Sequence, residues 1–130
     1  MERKTINLKS GADLPYSSAV VASGRFVFVS GHVGFDPVTG EPPEGIEAQT
    51  RQSLENIKAV LEAAGTSLAL AVKVNVYLVN AGDYDVMNTV YKEYFPVDRP
   101  ARATVVTTLV RPDLLVEIEM TALMPDGEQP

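Results

Sequence analysis

The stretch LENIKAVLEAAGTSLALAVKVNVYLV, residues 54–79, changes its period halfway along. In the first half Leu54, Ile57, Leu61 and Ala64 recur at helical spacing, with Val60 beside them. Glu55, Lys58 and Glu62, with Gln52 just upstream, fall on the opposite side. Apolar residues three and four apart mark one buried helix face. Gly65 follows as a helix stop, because glycine takes the left-handed conformation that ends many helices without a steric penalty. In the second half the apolar residues alternate. Val72, Val74, Val76 and Leu78 share one face, and Lys73, Asn75 and Tyr77 share the other. Period two is the mark of a strand with one wet side.

Working outward, Ala19 to Ala22 and Arg25 to Ser30 read as two strands joined in a tight hairpin at Ser23-Gly24. Thr5 to Leu8 reads as a short edge strand, and Pro15-Tyr16-Ser17-Ser18 as a turn. Asp36 to Gly45 carries three prolines and two glycines, so it is a loop. Downstream, Asp83 can cap a second helix whose apolar stripe is Met87, Val90, Tyr91 and Tyr94, with Pro96 after its end. Arg102 to Leu109 and Leu114 to Leu123 are the last strands, with Pro112-Asp113 between them. The order hairpin, helix, strand, helix, hairpin predicts an α+β fold, a mostly antiparallel or mixed sheet with both helices packed on one face. The other face keeps Phe26 and Phe28 uncovered, which asks for a second copy of the chain. No repeat or linker divides residues 1–130, a single domain in which 125–130 read as a frayed end.

Composition removes many functions. No apolar run approaches the roughly 20 residues that cross a bilayer, and Met1 to Thr5 lead into no signal core, so a cytoplasmic protein without a membrane role is expected. The chain has no cysteine and one histidine, His32. Thiol nucleophiles, thiolate metal sites and multi-histidine metal sites are therefore excluded. Dinucleotide, P-loop and α/β-hydrolase motifs are absent. A net charge of -6 argues against a nucleic-acid partner, although one local arginine can still hold an anion.

The last two strands carry the candidate chemistry. Arg102, Thr104, Val106 and Thr108 share one face of the first; Glu117, Glu119 and Thr121 share one face of the second. Paired as a hairpin and facing away from the helices, they would bring Arg102 and Thr104 level with Glu117 and Glu119. Two readings stand: a structural ion pair, or an arginine fork that binds a substrate carboxylate beside a glutamate that polarises water. His32 follows Ser30-Gly31 at a strand end, either as a surface or interface residue or as a proton donor. Gly31 and Gly34 suit close backbone approach to a ligand. Tyr16 packs or walls a pocket. Asn88 lies on the polar side of the second helix.

Several blocks together resemble a known family. Pro15-Tyr16-Ser17, Val29-Ser30-Gly31, Asp36-Pro37 with Thr39-Gly40, and Gln49-Thr50 with Gln52 and Asn56 are similar to the RidA (YjgF-type) proteins. So are Leu61-Glu62-Ala63-Ala64-Gly65, Val72-Lys73, Asn88 with Tyr91, Tyr94-Phe95, Pro100-Ala101-Arg102 and Val116-Glu117-Ile118-Glu119. They run in the family's order from about Pro15 to Ala122. The resemblance implies a chorismate-mutase-like fold of the bacterial trimeric type and a homotrimer with sites between subunits. It implies hydrolysis of reactive 2-enamine and 2-imine acids, such as 2-aminoacrylate, to a 2-keto acid and ammonia, with no cofactor or metal. The alternative within the family is a trimer that binds a metabolite or regulates without turnover. By the same resemblance Arg102 holds the carboxylate and Glu117 the attacking water. Tyr16, Ser30, Gly31 and Asn88 fall on pocket positions. Thr104 stands where many members have cysteine, and His32 where many have glutamine. The short link from Phe95 to Pro100 resembles a branch that acts on aminoacrylates from pyrimidine breakdown.

Overall fold

A computed structural model describes residues 1–8 and 12–126, so residues 127–130 of the expected frayed end lie outside the described residues. Six strands and two helices follow in the order β1 (Glu2–Ile6), β2 (Ala19–Ser23), β3 (Phe26–Val33), α1 (Ile46–Ala64), β4 (Ala71–Leu78), α2 (Tyr84–Tyr94), β5 (Ala101–Val106) and β6 (Val116–Leu123). β3, β6, β4 and β5 lie side by side in a mixed sheet, and β1 pairs with β2 separately.

The helical period of α1 becomes its buried face. Leu54, Ile57 and Leu61 lose all contact with solvent, and each such side chain contributes roughly 1.5–3 kcal/mol through burial. Gly65 adopts φ 94° and ends the helix as expected. The following Thr66 N–H returns to the Leu61 carbonyl at 2.9 Å. Across the core, Val74, Val76 and Leu78 of β4 and Val116, Ile118, Met120 and Ala122 of β6 join Met87, Val90 and Tyr91 of α2. Both helices therefore cover one face of the sheet. Among the described residues no helix is long and apolar enough to cross a membrane.

The pairing of strands differs from the expected hairpins. β2 pairs with β1, Glu2 opposite Ser23 through Ile6 opposite Ala19, so the first strand begins at Glu2 rather than Thr5. Gly24, at φ 132°, turns the chain out of this ribbon and into β3. β3 pairs with β6 instead of β2, and the Met124 N–H extends that ladder to the Arg25 carbonyl at 2.9 Å. The last two strands do not pair either. α2 carries the chain back along the sheet between β4 and β5, a crossover that makes those strands parallel. β5 thus lies along one edge of β4, while β6 runs antiparallel along the other. Two details also shift. A register irregularity between Ala71 and Lys73 puts Ala71 in the core and leaves Val72 half-buried. Asp83 holds the N-cap position of α2 without a side-chain cap bond, because a 3-10 turn over Ala81–Asp83 already leads into the helix.

The sheet's second face is open, as the sequence suggested. Phe28 is 78% exposed and its ring lies 6.4 Å from that of Phe26.

Candidate functional site

The parallel register decides where Arg102 points. Arg102 stands opposite Val74 and Thr104 opposite Val76. Both β4 partners face the helices, so Arg102 and Thr104 do too. This corrects the expectation that they face away, level with Glu117. In β6, Glu117 is opposite Tyr77 and Glu119 opposite Asn75, on the open face. The chain keeps its arginine and its glutamate on opposite faces of one sheet.

The arginine side is an aromatic cradle. The Arg102 guanidinium carbon lies 4.7 Å from the centre of the Tyr91 ring, 5.7 Å from that of Tyr16 and 5.8 Å from that of Tyr84. Nη2 reaches the Tyr84 hydroxyl at 3.5 Å, at the limit of a hydrogen bond. Nε and Nη1 are buried with no acceptor among the described residues. The same holds for Asn88 Oδ1, the Tyr91 hydroxyl and Thr104 Oγ1. Tyr84, Asn88 and Tyr91 are four and three residues apart, so α2 presents them on one side. Burial pushes the Tyr91 hydroxyl well above the usual phenol range, and the Arg102 charge only partly opposes this. Tyr91 therefore stays a neutral hydroxyl. Buried polar atoms without partners are costly and few in folded proteins, and a cluster of them around a cation is suited to bind an anion.

Tyr16 comes from a loop that, among the described residues, pairs with the sheet only at Ser17, bridged to Ala101, with the Ser17 N–H on the Pro100 carbonyl at 3.2 Å. Sequence reasoning misses Tyr84, and it places Tyr91 in a packing stripe and in a family block with Asn88 but gives it no site role. Their spacing with Asn88 is visible in the sequence, but its meaning depends on which strand lies beneath.

The glutamate side is an open groove of about 370 Å³ walled by Tyr77, Glu117, Glu119 and residues 107–110. Between Val29 opposite Met120 and His32 opposite Ile118, β3 advances three residues against two on β6. This bulge holds Ser30 and Gly31 out of regular pairing, both exposed. The Glu117 carboxylate lies so close over Gly31 that a Cβ there would collide with it. His32, half-buried, is level with Ile118, while Val33 is the residue opposite Glu117. Glu119 accepts hydrogen bonds from Tyr77 at 2.5 Å and Asn75 at 3.0 Å. Those bonds, Tyr77 first, hold its carboxyl below the usual range, and the same contact raises the Tyr77 hydroxyl. Glu119 is thus committed to its neighbours. Among the described residues no side chain or backbone group donates a hydrogen bond to the Glu117 carboxylate, which keeps its acceptors.

A polar row on α1 fixes this side. The Gln49 amide donates to the Asp113 carbonyl at 2.9 Å and accepts from the Leu115 N–H at 2.8 Å. Ser53 donates to the His32 carbonyl at 2.8 Å, and Asn56 to the Phe35 carbonyl at 2.9 Å. Gly34 is required here, since a Cβ would sit 2.5 Å from the Gln49 carbonyl oxygen. The row explains the Gln49 and Asn56 positions of the sequence motif as braces on the bulge and on the start of β6.

A larger depression, about 520 Å³, lies against the first turns of α1. Its arginine, Arg51, is already bound through two N–H groups to Glu93, at 3.0 and 3.2 Å. Among the described residues no group of three or more His, Asp or Glu side chains is placed to hold a metal ion.

The sequence signature described as endoribonuclease L-PSP matches residues 8–124. A RutC family protein of Pyrococcus horikoshii is 51% identical over 109 residues, 83% of this chain and 86% of the relative. A bovine protein named 2-iminobutanoate/2-iminopropanoate deaminase is 38% identical over 110 residues, 84% of this chain and 80% of the relative. Among solved structures, a Rid-family protein of unknown function from Yersinia pestis superposes with a TM-score of 0.81. It is 33% identical and covers 95% of this chain and 100% of its own.

Proposed function

The chain belongs to the endoribonuclease L-PSP family, the Rid/YjgF proteins with a chorismate-mutase-like fold, and we propose that it is a cofactor-free deaminase of small 2-enamine and 2-imine acids such as 2-aminoacrylate and 2-iminopropanoate. The bovine relative carries the name of that activity. The observation that carries the proposal is the Arg102 guanidinium, packed among three tyrosine rings with its buried Nε and Nη1 lacking acceptors among the described residues. A planar carboxylate matches such a fork in shape and charge. RNA cleavage, which the family's name suggests, finds no support in a chain of net charge -6.

In this reading Arg102 fixes the substrate carboxylate, and Tyr16, Asn88 and Thr104 line the space around it. Glu117 takes a proton from water as the oxygen adds to the imine carbon. Glu117 returns that proton to the nitrogen, which completes a carbinolamine; the carbinolamine's hydroxyl proton then passes to the nitrogen, the C–N bond breaks, and ammonia leaves the 2-keto acid. Ser30 and Gly31 offer backbone groups beside Glu117. His32 is a neighbour of this groove rather than its acid. Because one chain holds Arg102 and Glu117 on opposite faces, the reaction needs a second copy to bring its own Glu117 groove against the cradle. A homotrimer with sites at its seams meets this need and covers Phe28.

The test generates 2-iminopropanoate with a serine dehydratase and follows its loss. Wild type is expected to outpace buffer, and Arg102→Ala and Glu117→Gln are each expected to fall to the buffer rate. Co-assembly of the two inactive variants should restore up to about a quarter of the wild-type activity, since one intact Arg102 and one intact Glu117 then meet at a fraction of the seams. Wild type no faster than buffer rejects the deaminase. Tight binding of a 2-keto acid without turnover would support the metabolite-binding role instead.

A further inference from the structure

Arg99 lies three residues before Arg102, in the link between α2 and β5, and is wired in the opposite way. Its side chain is only 14% exposed. Nε donates to the Phe95 carbonyl at 2.6 Å, and Nη2 meets the Pro96 carbonyl at 3.4 Å. Nη1 donates to Asp13 Oδ1 at 2.6 Å and to the Leu14 carbonyl at 2.7 Å. Lys92, from the last turn of α2, adds bonds to the Asp13 carbonyl at 2.9 Å and Asp13 Oδ2 at 3.0 Å. One guanidinium thus ties two pieces of irregular backbone together. One is the link that leads into Arg102. The other is the loop that carries Tyr16, two residues beyond Leu14.

We propose that Arg99, anchored by Asp13 and Lys92, is a positioning residue that seats the Tyr16 ring on the Arg102 guanidinium and so sets the affinity of the site for a small carboxylate. Residues 12–18 belong to no helix and to no strand beyond the single Ser17 bridge. Tertiary hydrogen bonds therefore decide where this loop lies. The Leu8 N–H reaches the Ser18 hydroxyl at 3.2 Å, but the bonds at Asp13, Leu14 and Ser17, on either side of Tyr16, all go to residues 92–100, the segment that also aims Arg102. Arg99 is too far committed to carbonyls to bind ligand itself. Its effect on ligand must pass through Tyr16.

The proposal rests on the reading of Arg102 as a carboxylate binder, and the experiment separates the two. The side-chain Nε–H resonance of Arg102, assigned by its loss in Arg102→Lys, reports ring stacking without any ligand. It is expected to move in Arg99→Met as it moves in Tyr16→Leu. If it stays at its wild-type position in Arg99→Met, the clamp is overturned whatever the protein binds. Titration with 2-oxobutanoate supplies the second readout. Loss of one cation–π contact predicts about five- to tenfold weaker binding in Arg99→Met. That penalty should vanish in the Tyr16→Leu background, which a merely structural role would not produce. In the deaminase assay KM should rise with kcat within about twofold, as for binding shared by ground and transition states. Arg99→Lys, which keeps the charge but not the fork, should fall between wild type and Arg99→Met. If Arg99→Met does not fold, Asp13→Asn, at an exposed residue, carries the same readouts. A wild type that binds no 2-oxobutanoate, with the Arg102 resonance still displaced in Arg99→Met, rejects the carboxylate site and leaves the clamp standing.

Discussion

Arg99 and Arg102 are two arginines one turn of backbone apart, and they divide stability and ligand chemistry between them. Arg99 spends its donors on three carbonyl groups and Asp13. Arg102 rests on three tyrosine rings with two nitrogens unpartnered. A guanidinium with four of its five N–H groups bonded holds the fold together; one with two nitrogens kept free and desolvated is prepared for something else. The difference is set by surroundings. Irregular backbone offers Arg99 carbonyl acceptors, while the Arg102 side chain lies over the sheet among tyrosine rings.

Removing each arginine should separate the roles. Arg102→Met is expected to weaken 2-oxobutanoate binding by at least about 30-fold, since truncating one partner of a buried charged pair costs about 2–5 kcal/mol. Its urea stability should not fall, because no acceptor in the fold loses a strong bond. Arg99→Met should instead lose about 2–4 kcal/mol of stability, given that hydrogen bonds to charged groups contribute about 1.5–3 kcal/mol each and are not additive. Equal losses of stability in the two variants would erase the distinction.

A smaller effect tests the cradle. The Tyr91 hydroxyl is buried without a partner among the described residues. Tyr91→Phe removes an orphaned polar group and should raise stability by about 1 kcal/mol in urea unfolding. A fall would show that the hydroxyl is satisfied in solution, for instance by a bound water.

The smallest effect belongs to the clamp's exposed end. Hydrogen bonds from Arg99 and then Lys92 hold the Asp13 carboxyl below its usual range. A depressed folded pKa gives stability that is present above the unfolded value, about 3.9, and is lost as pH falls through the folded value. The stability difference between wild type and Asp13→Asn should be constant from neutral pH down to about pH 5 and shrink below about pH 4. A difference that persists unchanged at pH 3 would mean that the carboxylate charge is irrelevant to Arg99.

Where local pattern and packing agreed, the fold was legible in the sequence. α1 and β4 carry their periods openly, Gly65 ends the helix, and the open face with Phe28 follows from alternation. Pairing was not legible. Alternation shows that Arg102 and Thr104 share a face but not which face the helices cover, and neighbours in sequence were the natural partners to assume. β5 is also inverted in pattern. Polar Arg102 and Thr104 lie on the covered side while Val105, on the other, is 48% exposed. Such an inversion is a local conflict of the kind that accompanies functional positions. Glu117 was correctly placed on the open face, since the β6 pattern is regular. Arg99 carried no signal at all, because its acceptors are backbone carbonyls whose positions no side-chain pattern encodes.

The crossover through α2 also constrains symmetry. A two-fold dimer joins one patch to the same patch on its partner, so it does not unite residues that each chain keeps on opposite faces of its sheet. A head-to-tail contact does, and such contacts either close into a ring or run on as a filament. In a closed ring every cradle meets a groove and completed sites equal subunits. An open chain of copies strands one cradle at one end and one groove at the other.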